Sequence, residues 1–238
     1  MKKLVLLILI FITNNSVAQN SKLLIQADSL FEKKKYIDAK NIYEKLFFVE
    51  QTYSNKMLLK MSFIEEGLEN YEKVLLFLSY HYNETFDDET QRKINTIAEK
   101  NELSGFEQND MVYFKNLYKK NKNAIYILLL LIISIFLITN MKVHYSKKIF
   151  AMQNSFLFFL LCVFTLFILN FNFLKKEGII SSENTFIMNG PSSGSDIYEV
   201  LKKGSKVLIL DEKNIWYELH RNGKKKYVRK KNVYVINN

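Results

Sequence analysis

Three histidines and one cysteine are the side chains of this sequence best suited to metal or nucleophilic chemistry. His81, His144 and His220 lie far apart along the chain, and Cys162 lies inside an apolar segment. Zinc sites need His and Cys at short spacing, and a nucleophilic cysteine needs a basic partner. A single cysteine also cannot form an intramolecular disulfide. These residues therefore predict no metal site and no cofactor.

Carboxylates and glycine-rich segments give no catalytic pattern either. Glu65 and Glu66 are adjacent on a predicted helix, where neighbouring residues do not share a face. Residues 190–196 (GPSSGSD) contain glycines but lack the lysine and the following helix of a phosphate-binding loop. We therefore expect that the protein is not an enzyme.

The strongest local charge feature is a basic run near the C-terminus, which follows the single tryptophan. Such a run can meet an acidic partner or anionic lipid headgroups, whereas lysines can also protect an exposed edge strand. The tryptophan is typical either of a barrel core or of a ligand-stacking site. The candidate partner or anion contacts are Trp216, Arg221, Lys224, Lys225, Lys226, Arg229, Lys230 and Lys231.

The formal net charge of +10 does not indicate nucleic-acid binding. Residues 20–123 carry 16 Lys and Arg against 17 Asp and Glu, whereas residues 175–238 carry 13 against 7. The other five lysines flank apolar segments, where lysine marks membrane interfaces. We therefore expect the lipid bilayer as a partner, and not nucleic acid.

Three apolar segments predict export and membrane insertion. Residues 1–18 have the layout of a signal peptide, with two lysines, an apolar run and small residues at the end; an uncleaved N-terminal anchor is the alternative. Residues 124–140 and 151–173 predict two transmembrane helices, joined by a short cytoplasmic loop over residues 141–150. Both soluble portions then lie on the periplasmic or extracytoplasmic side of the bacterial inner membrane.

Residues 20–122 carry apolar side chains at helical spacing. A pattern of two short helices recurs after about 35 residues, so that Tyr36 matches Tyr71 and Ala39 matches Val74. A period near 34 residues with these residue types resembles the tetratricopeptide repeat. The resemblance implies a domain that binds a protein or peptide in a concave groove.

Residues 178–238 change to short segments rich in Ile, Val and Tyr, broken by turn residues. Asn222-Gly223 is typical of a type I′ hairpin turn. We predict a small all-β barrel with strands at 178–181, 185–188, 206–210, 215–220, 225–229 and 233–236. The domain resembles the bacterial SH3-like family in the segments 186–191, 201–207, 216–219 and 227–228.

The expected fold class is thus a multidomain membrane protein with all-α tetratricopeptide-like repeats, a two-helix transmembrane hairpin and a small all-β SH3-like barrel. This order resembles the BatE-type membrane proteins of the bacterial aerotolerance operon. The resemblance implies a cell-envelope scaffold or adaptor in an aerotolerance- or stress-related complex, with membrane proteins that contain von Willebrand factor A domains as partners. The alternative is a cell-wall sensor whose barrel binds peptidoglycan.

Overall fold

The structure is a computed structural model that describes residues 20–107, 110–145, 151–170 and 176–236. It combines helices with a seven-stranded antiparallel sheet. The predicted signal peptide, residues 1–18, lies outside the described residues. The helices are α1 (20–32), α2 (Tyr36–Glu44, continued by a π-helical turn over Lys45–Val49), α3 (Asn55–Gly67), α4 (Tyr71–Thr85), α5 (Asp88–Lys100), α6 (Asp110–Tyr145) and α7 (Ala151–Asn170).

The turns that follow α1, α3 and α5 share one backbone geometry. Lys34, Glu69 and Glu102 have positive φ angles of 59°, 59° and 53°. In each turn the next residue donates its N–H to the carbonyl five positions earlier, a bond that satisfies an unpaired carbonyl at the helix end. These bonds join Lys35 to Leu30, Asn70 to Glu65 and Leu103 to Ala98. The turn that ends α1 therefore recurs after α3 and again after α5.

Side chains at equivalent positions explain where these helices begin and how closely they pack. Ala39 and Val74 are the fourth residues of α2 and α4, and both are fully buried. Ser54 caps α3 by accepting a hydrogen bond from the Met57 amide at 3.3 Å. Asp87 caps α5 in the same way through the Thr90 amide at 2.8 Å. We call residues 20–106 the helical domain.

Residues 176–236 form the sheet, and we call them the β-domain. Its strands run in the order β3-β2-β6-β5-β4-β1-β7, with antiparallel pairs throughout. The six predicted strands are present, and a seventh, β3, was missed. The strands are β1 (Lys176–Ile180), β2 (Thr185–Met188), β3 (Ile197–Leu201), β4 (Lys206–Lys213), β5 (Trp216–Arg221), β6 (Lys224–Arg229) and β7 (Val233–Ile236).

The residues of the β5–β6 turn and the alternation of buried and exposed side chains fix the register of the strands in the β-domain. Asn222 and Gly223 have φ angles of 47° and 73°, so both central residues of the β5–β6 turn adopt the positive φ that the sequence predicts. Because successive side chains of a strand point to opposite faces, the strands bury one side in a common interior. That interior contains Ile180, Ile187, Leu201, Val207, Ile209, Leu219, Val228 and Val233.

The helical domain and the β-domain pack together as one compact unit. Strands β1 and β7 contact α4, and Ile179 and Ile236 are fully buried in the same apolar cluster as the α4 side chains. The Tyr80 hydroxyl donates a hydrogen bond to the Val235 carbonyl at 3.1 Å. The buried Glu72 carboxylate lies 3.1 Å from the Lys203 ammonium. We call this contact the α4–β interface.

The chain itself crosses the α4–β interface after the third turn. After α1 and α3 the turn leads into a second helix, whereas after α5 it leads into Ser104 and Gly105, which contact the β-domain. The Lys206 amide donates to the Ser104 carbonyl at 2.8 Å. A side chain at Gly105 would place its first carbon 2.1 Å from the Lys206 carbonyl oxygen, and φ there is +91°. Glycine is therefore required at this crossing.

Residues 107–175 belong to a second compact unit, in which α6 and α7 contact each other. Within the described residues, the segment Asn116–Thr139 of α6 is long and apolar enough to span a membrane. Its 24 residues correspond to about 36 Å of helix. The apolar segment Phe156–Leu166 of α7 is shorter. Helix α6 continues to Tyr145, five residues into the predicted loop.

Candidate functional site

The outer side of the β-domain carries a second group of large side chains, separate from the interior. Met188 pairs with Tyr227 between β2 and β6, and Trp216 pairs with Arg229 between β5 and β6. Met188, Trp216 and Tyr227 form their own apolar cluster. Trp216 therefore lies on the outer side rather than in the interior of the β-domain, although only 5% of it is exposed. We call this surface the Trp216 face.

A groove of about 260 Å³ opens on the Trp216 face. Phe186, which is 53% exposed, forms one wall, and Trp216 and Met188 form the base. The remaining lining residues are polar or cationic: Ser193, Arg229, Lys231 and Asn232. Trp216 also borders a second depression, whose other lining residues are Pro191, Glu212, Lys213, Asn214 and Ile215.

Glu218 is the buried carboxylate of this face. Its side chain is 2% exposed and lies 2.8 Å from the Lys213 ammonium and 2.7 Å from the Lys225 ammonium. Hydrogen bonds from Lys213 and Lys225 lower the pKa of Glu218 to about 2. The Tyr227 hydroxyl also donates to this carboxylate at 3.3 Å. Glu218 is therefore ionised at neutral pH and neutralises two lysines, so it is poorly suited to general acid or base catalysis.

The structure divides the predicted basic run into two sets. Three members are neutralised by carboxylates of the β-domain. Lys225 pairs with Glu218, Lys230 pairs with Glu212 at 2.8 Å, and Arg221 pairs with Glu199 at 3.1 Å. These pairs reduce the charge that the run presents to a partner.

Four members pair with no carboxylate among the described residues. Lys226 is buried, donates to Asn189 and lies 3.9 Å from the centre of the Tyr198 ring. Lys224 is exposed beside the Asn222-Gly223 turn. Arg229 donates to the Ser193 hydroxyl and lies over the Trp216 ring at 5.5 Å, and Lys231 borders the same groove. The groove thus joins three of the eight predicted contacts: Trp216, Arg229 and Lys231.

The helical domain carries a partly exposed aromatic cluster that the sequence did not predict as a site. Phe31, Tyr36 and Phe63 contact one another edge to face, with ring centres 5.3–5.9 Å apart. Phe63 is 54% exposed. The Lys60 ammonium lies 4.9 Å from the Phe31 ring centre and 3.0 Å from the Asp28 carboxylate. Its exposure was not evident from the sequence, since the neighbouring Met61 and Ser62 of the same helix are buried.

The two carboxylates considered for catalysis, Glu65 and Glu66, lie in separate ion pairs. Glu65 is buried between Lys40, Asn70 and Lys73; burial alone would raise its pKa, but hydrogen bonds from Asn70 and Lys40 and the charge of Lys73 lower it. Glu66 instead pairs with Lys93 at 2.6 Å. Within the described residues, no three His, Cys, Asp or Glu side chains are grouped as metal ligands.

A scan against protein-family models gives no match to this chain, and a search of curated proteins finds no similar sequence.

Proposed function

We propose that this chain is a non-enzymatic scaffold of the cell envelope, which holds partner membrane proteins through its helical domain and its β-domain. The observation that supports this proposal is the α4–β interface. Two domains separated in sequence by the α6–α7 unit share one apolar cluster, to which the β-domain contributes Ile179 and Ile236. Because the two domains pack as one unit, each can present a binding surface to a partner while their relative orientation stays fixed. An adaptor requires this arrangement.

The α6–α7 unit supplies the membrane anchor in this proposal. The segment Asn116–Thr139 has the length and apolarity of one span. We propose that α7 returns the chain across the same membrane as a second span. Both domains then lie on one side, as a shared core requires. An export signal at residues 1–18 assigns that side to the periplasmic or extracytoplasmic space.

The helical domain is proposed to be a pair of tetratricopeptide-like repeats with a third, incomplete unit. The matching turns at Lys34, Glu69 and Glu102 support this assignment. The β-domain, with its antiparallel strands and its Asn-Gly turn, supports an SH3-like assignment. In this proposal the order of the segments resembles that of BatE-type proteins, for which membrane proteins with von Willebrand factor A domains are the expected partners.

Co-purification from gently solubilised membranes tests the scaffold proposal. Removing the β-domain would uncover α4, so surface substitutions are the better probes. Phe63→Ser alters the exposed aromatic cluster, and Phe186→Ser alters the Trp216 face. Ile25→Ser is the matched control, since Ile25 is 69% exposed on α1.

The proposal predicts that membrane proteins with von Willebrand factor A domains co-purify with the unaltered chain and with Ile25→Ser. At least one of the other two variants should lose them. Recovery of cell-wall fragments in place of membrane proteins would instead favour the peptidoglycan sensor. Identical partners for all three variants would contradict a role for either surface.

A further inference from the structure

We propose that the groove on the Trp216 face binds an acidic, extended peptide segment of a partner protein, with Arg229 and Lys231 as the carboxylate contacts. This inference rests on the proposed scaffold function and names the chemistry of one of its partners. It is carried by the groove, its apolar base and two cations that the β-domain does not neutralise.

The charges around the groove indicate that the ligand is negatively charged. No carboxylate of the described residues pairs with Arg229 or Lys231, whereas Arg221, Lys225 and Lys230 each have one. A cation with no carboxylate partner beside an apolar surface favours a ligand that carries an anionic group next to an apolar one. Carboxylates suit arginine especially, because its planar guanidinium offers paired donors.

The same distribution argues against a membrane surface as the occupant. Recognition of anionic lipid is typical of clusters of four to eight lysines and arginines that act together. Here three members of the run are paired with carboxylates, and Lys226 is buried against Tyr198 and Asn189. Two cations without carboxylate partners that line one groove favour a localised ligand over a diffuse one.

The shape of the groove indicates how a peptide would lie in it. Phe186 and Met188 lie two residues apart on β2 and share its outer side, next to Trp216. Arg229 is already positioned, because it donates to Ser193 and lies over the indole ring. An apolar side chain of the peptide would cover Phe186, and the neighbouring carboxylate would reach Arg229 or Lys231.

Trp216 is the single tryptophan of the chain, so its fluorescence reports on this groove. The experiment titrates the full chain in dodecyl maltoside micelles with a tryptophan-free peptide of alternating Glu and Leu. Two peptides of the same length, with Gln or Lys in place of Glu, separate charge from apolar contact. Phosphatidylglycerol added to the micelles forms a separate arm.

We expect saturable binding of the Glu-Leu peptide and binding weaker by about tenfold for the Gln-Leu peptide. Lys231→Met should weaken Glu-Leu binding by a similar factor, whereas Lys224→Met should leave it unchanged. Both lysines are exposed and belong to the same run, so this pair separates the groove from general positive charge. Lys231→Glu should abolish Glu-Leu binding and create binding of the Lys-Leu peptide, which a misfolded variant would not do.

Equal binding of the Glu-Leu and Gln-Leu peptides would overturn the inference, as would equal losses in Lys231→Met and Lys224→Met. A response to phosphatidylglycerol alone would replace the peptide with a lipid headgroup. If partners co-purify with the chain but the peptide does not bind, the scaffold proposal stands and the groove assignment is wrong.

Discussion

The two sides of the β-domain differ in what covers them. Strands β1 and β7 pack apolar side chains against α4, and Gly105 lies against Lys206 of β4 where no side chain would fit. The Trp216 face carries an exposed phenylalanine and cations without carboxylate partners. The first surface has the features of a permanent interior contact, and the second has those of a binding surface. Substitutions should therefore affect stability on the first side and binding on the second.

Gly105→Ala should give the largest loss of stability. The added carbon would lie 2.1 Å from the Lys206 carbonyl oxygen, and φ is +91°. We expect the free energy of unfolding to fall by about 3 kcal/mol or more. Gly223→Ala is the matched control, because φ is also positive there but nothing lies within 4 Å of the added carbon. It should cost about 1 kcal/mol. Equal losses in denaturant unfolding would show that the chain crossing is not tightly packed.

Ile179→Ala should be the next most damaging change. Ile179 is fully buried in the cluster shared by α4, β1 and β7. Truncation leaves a cavity, which should lower the free energy of unfolding by about 2–4 kcal/mol. Ile197→Ala, on the exposed side of β3, should change the free energy of unfolding by less than about 0.5 kcal/mol. The two variants are compared by thermal unfolding in the same detergent. Similar midpoints would contradict a shared core.

Tyr80→Phe tests one hydrogen bond across the α4–β interface. The change removes the donor to the Val235 carbonyl but keeps the ring in place. We expect a loss of about 1 kcal/mol in the free energy of unfolding. Tyr113→Phe serves as control, since Tyr113 is 65% exposed and belongs to the other compact unit. A variant as stable as the unaltered chain would show that water replaces this bond.

The smallest expected effect is on the pH dependence of stability. The folded pKa of Glu218, about 2, lies below the ordinary value of about 4.3. Its contribution is therefore present above about pH 4.3 and is lost as the pH falls towards 2. Glu218→Gln should flatten the fall in the urea midpoint over this window, whereas Glu183→Gln, at an exposed position, should not. Parallel curves for the unaltered chain and Glu218→Gln would contradict the ion-pair geometry.

Local patterns predicted most of the individual elements, but not the contact between the two domains. Asn222-Gly223 predicted its turn because few pairs of consecutive residues can both adopt a positive φ. Strand β3 was missed because Ile197–Leu201 follows a run of Gly, Ser and Asp and has a weak alternation. The packing of α4 depends on pairing Tyr80 with Val235, which lie 155 residues apart. Five consecutive buried apolar residues, Val74–Leu78, were the available signal that α4 is covered on several sides.

The site was predicted only in part, for a similar reason. The basic run is visible in the sequence, but the carboxylates that neutralise Arg221 and Lys230 come from β3 and β4. The groove forms where β2, β5 and β6 meet, so Phe186 could not be linked to Trp216 from spacing alone. The sequence therefore shows the charge of the run, but not which of its members are already paired with carboxylates.

Hydrogen exchange of the full chain in detergent tests the α4–β interface most directly. If the two domains share one core, the amides of α4, β1 and β7 will exchange with the same free energy and will lose protection together as denaturant is added. An α4 that exchanges freely while β1 and β7 remain protected, or two separate unfolding transitions, would contradict the account.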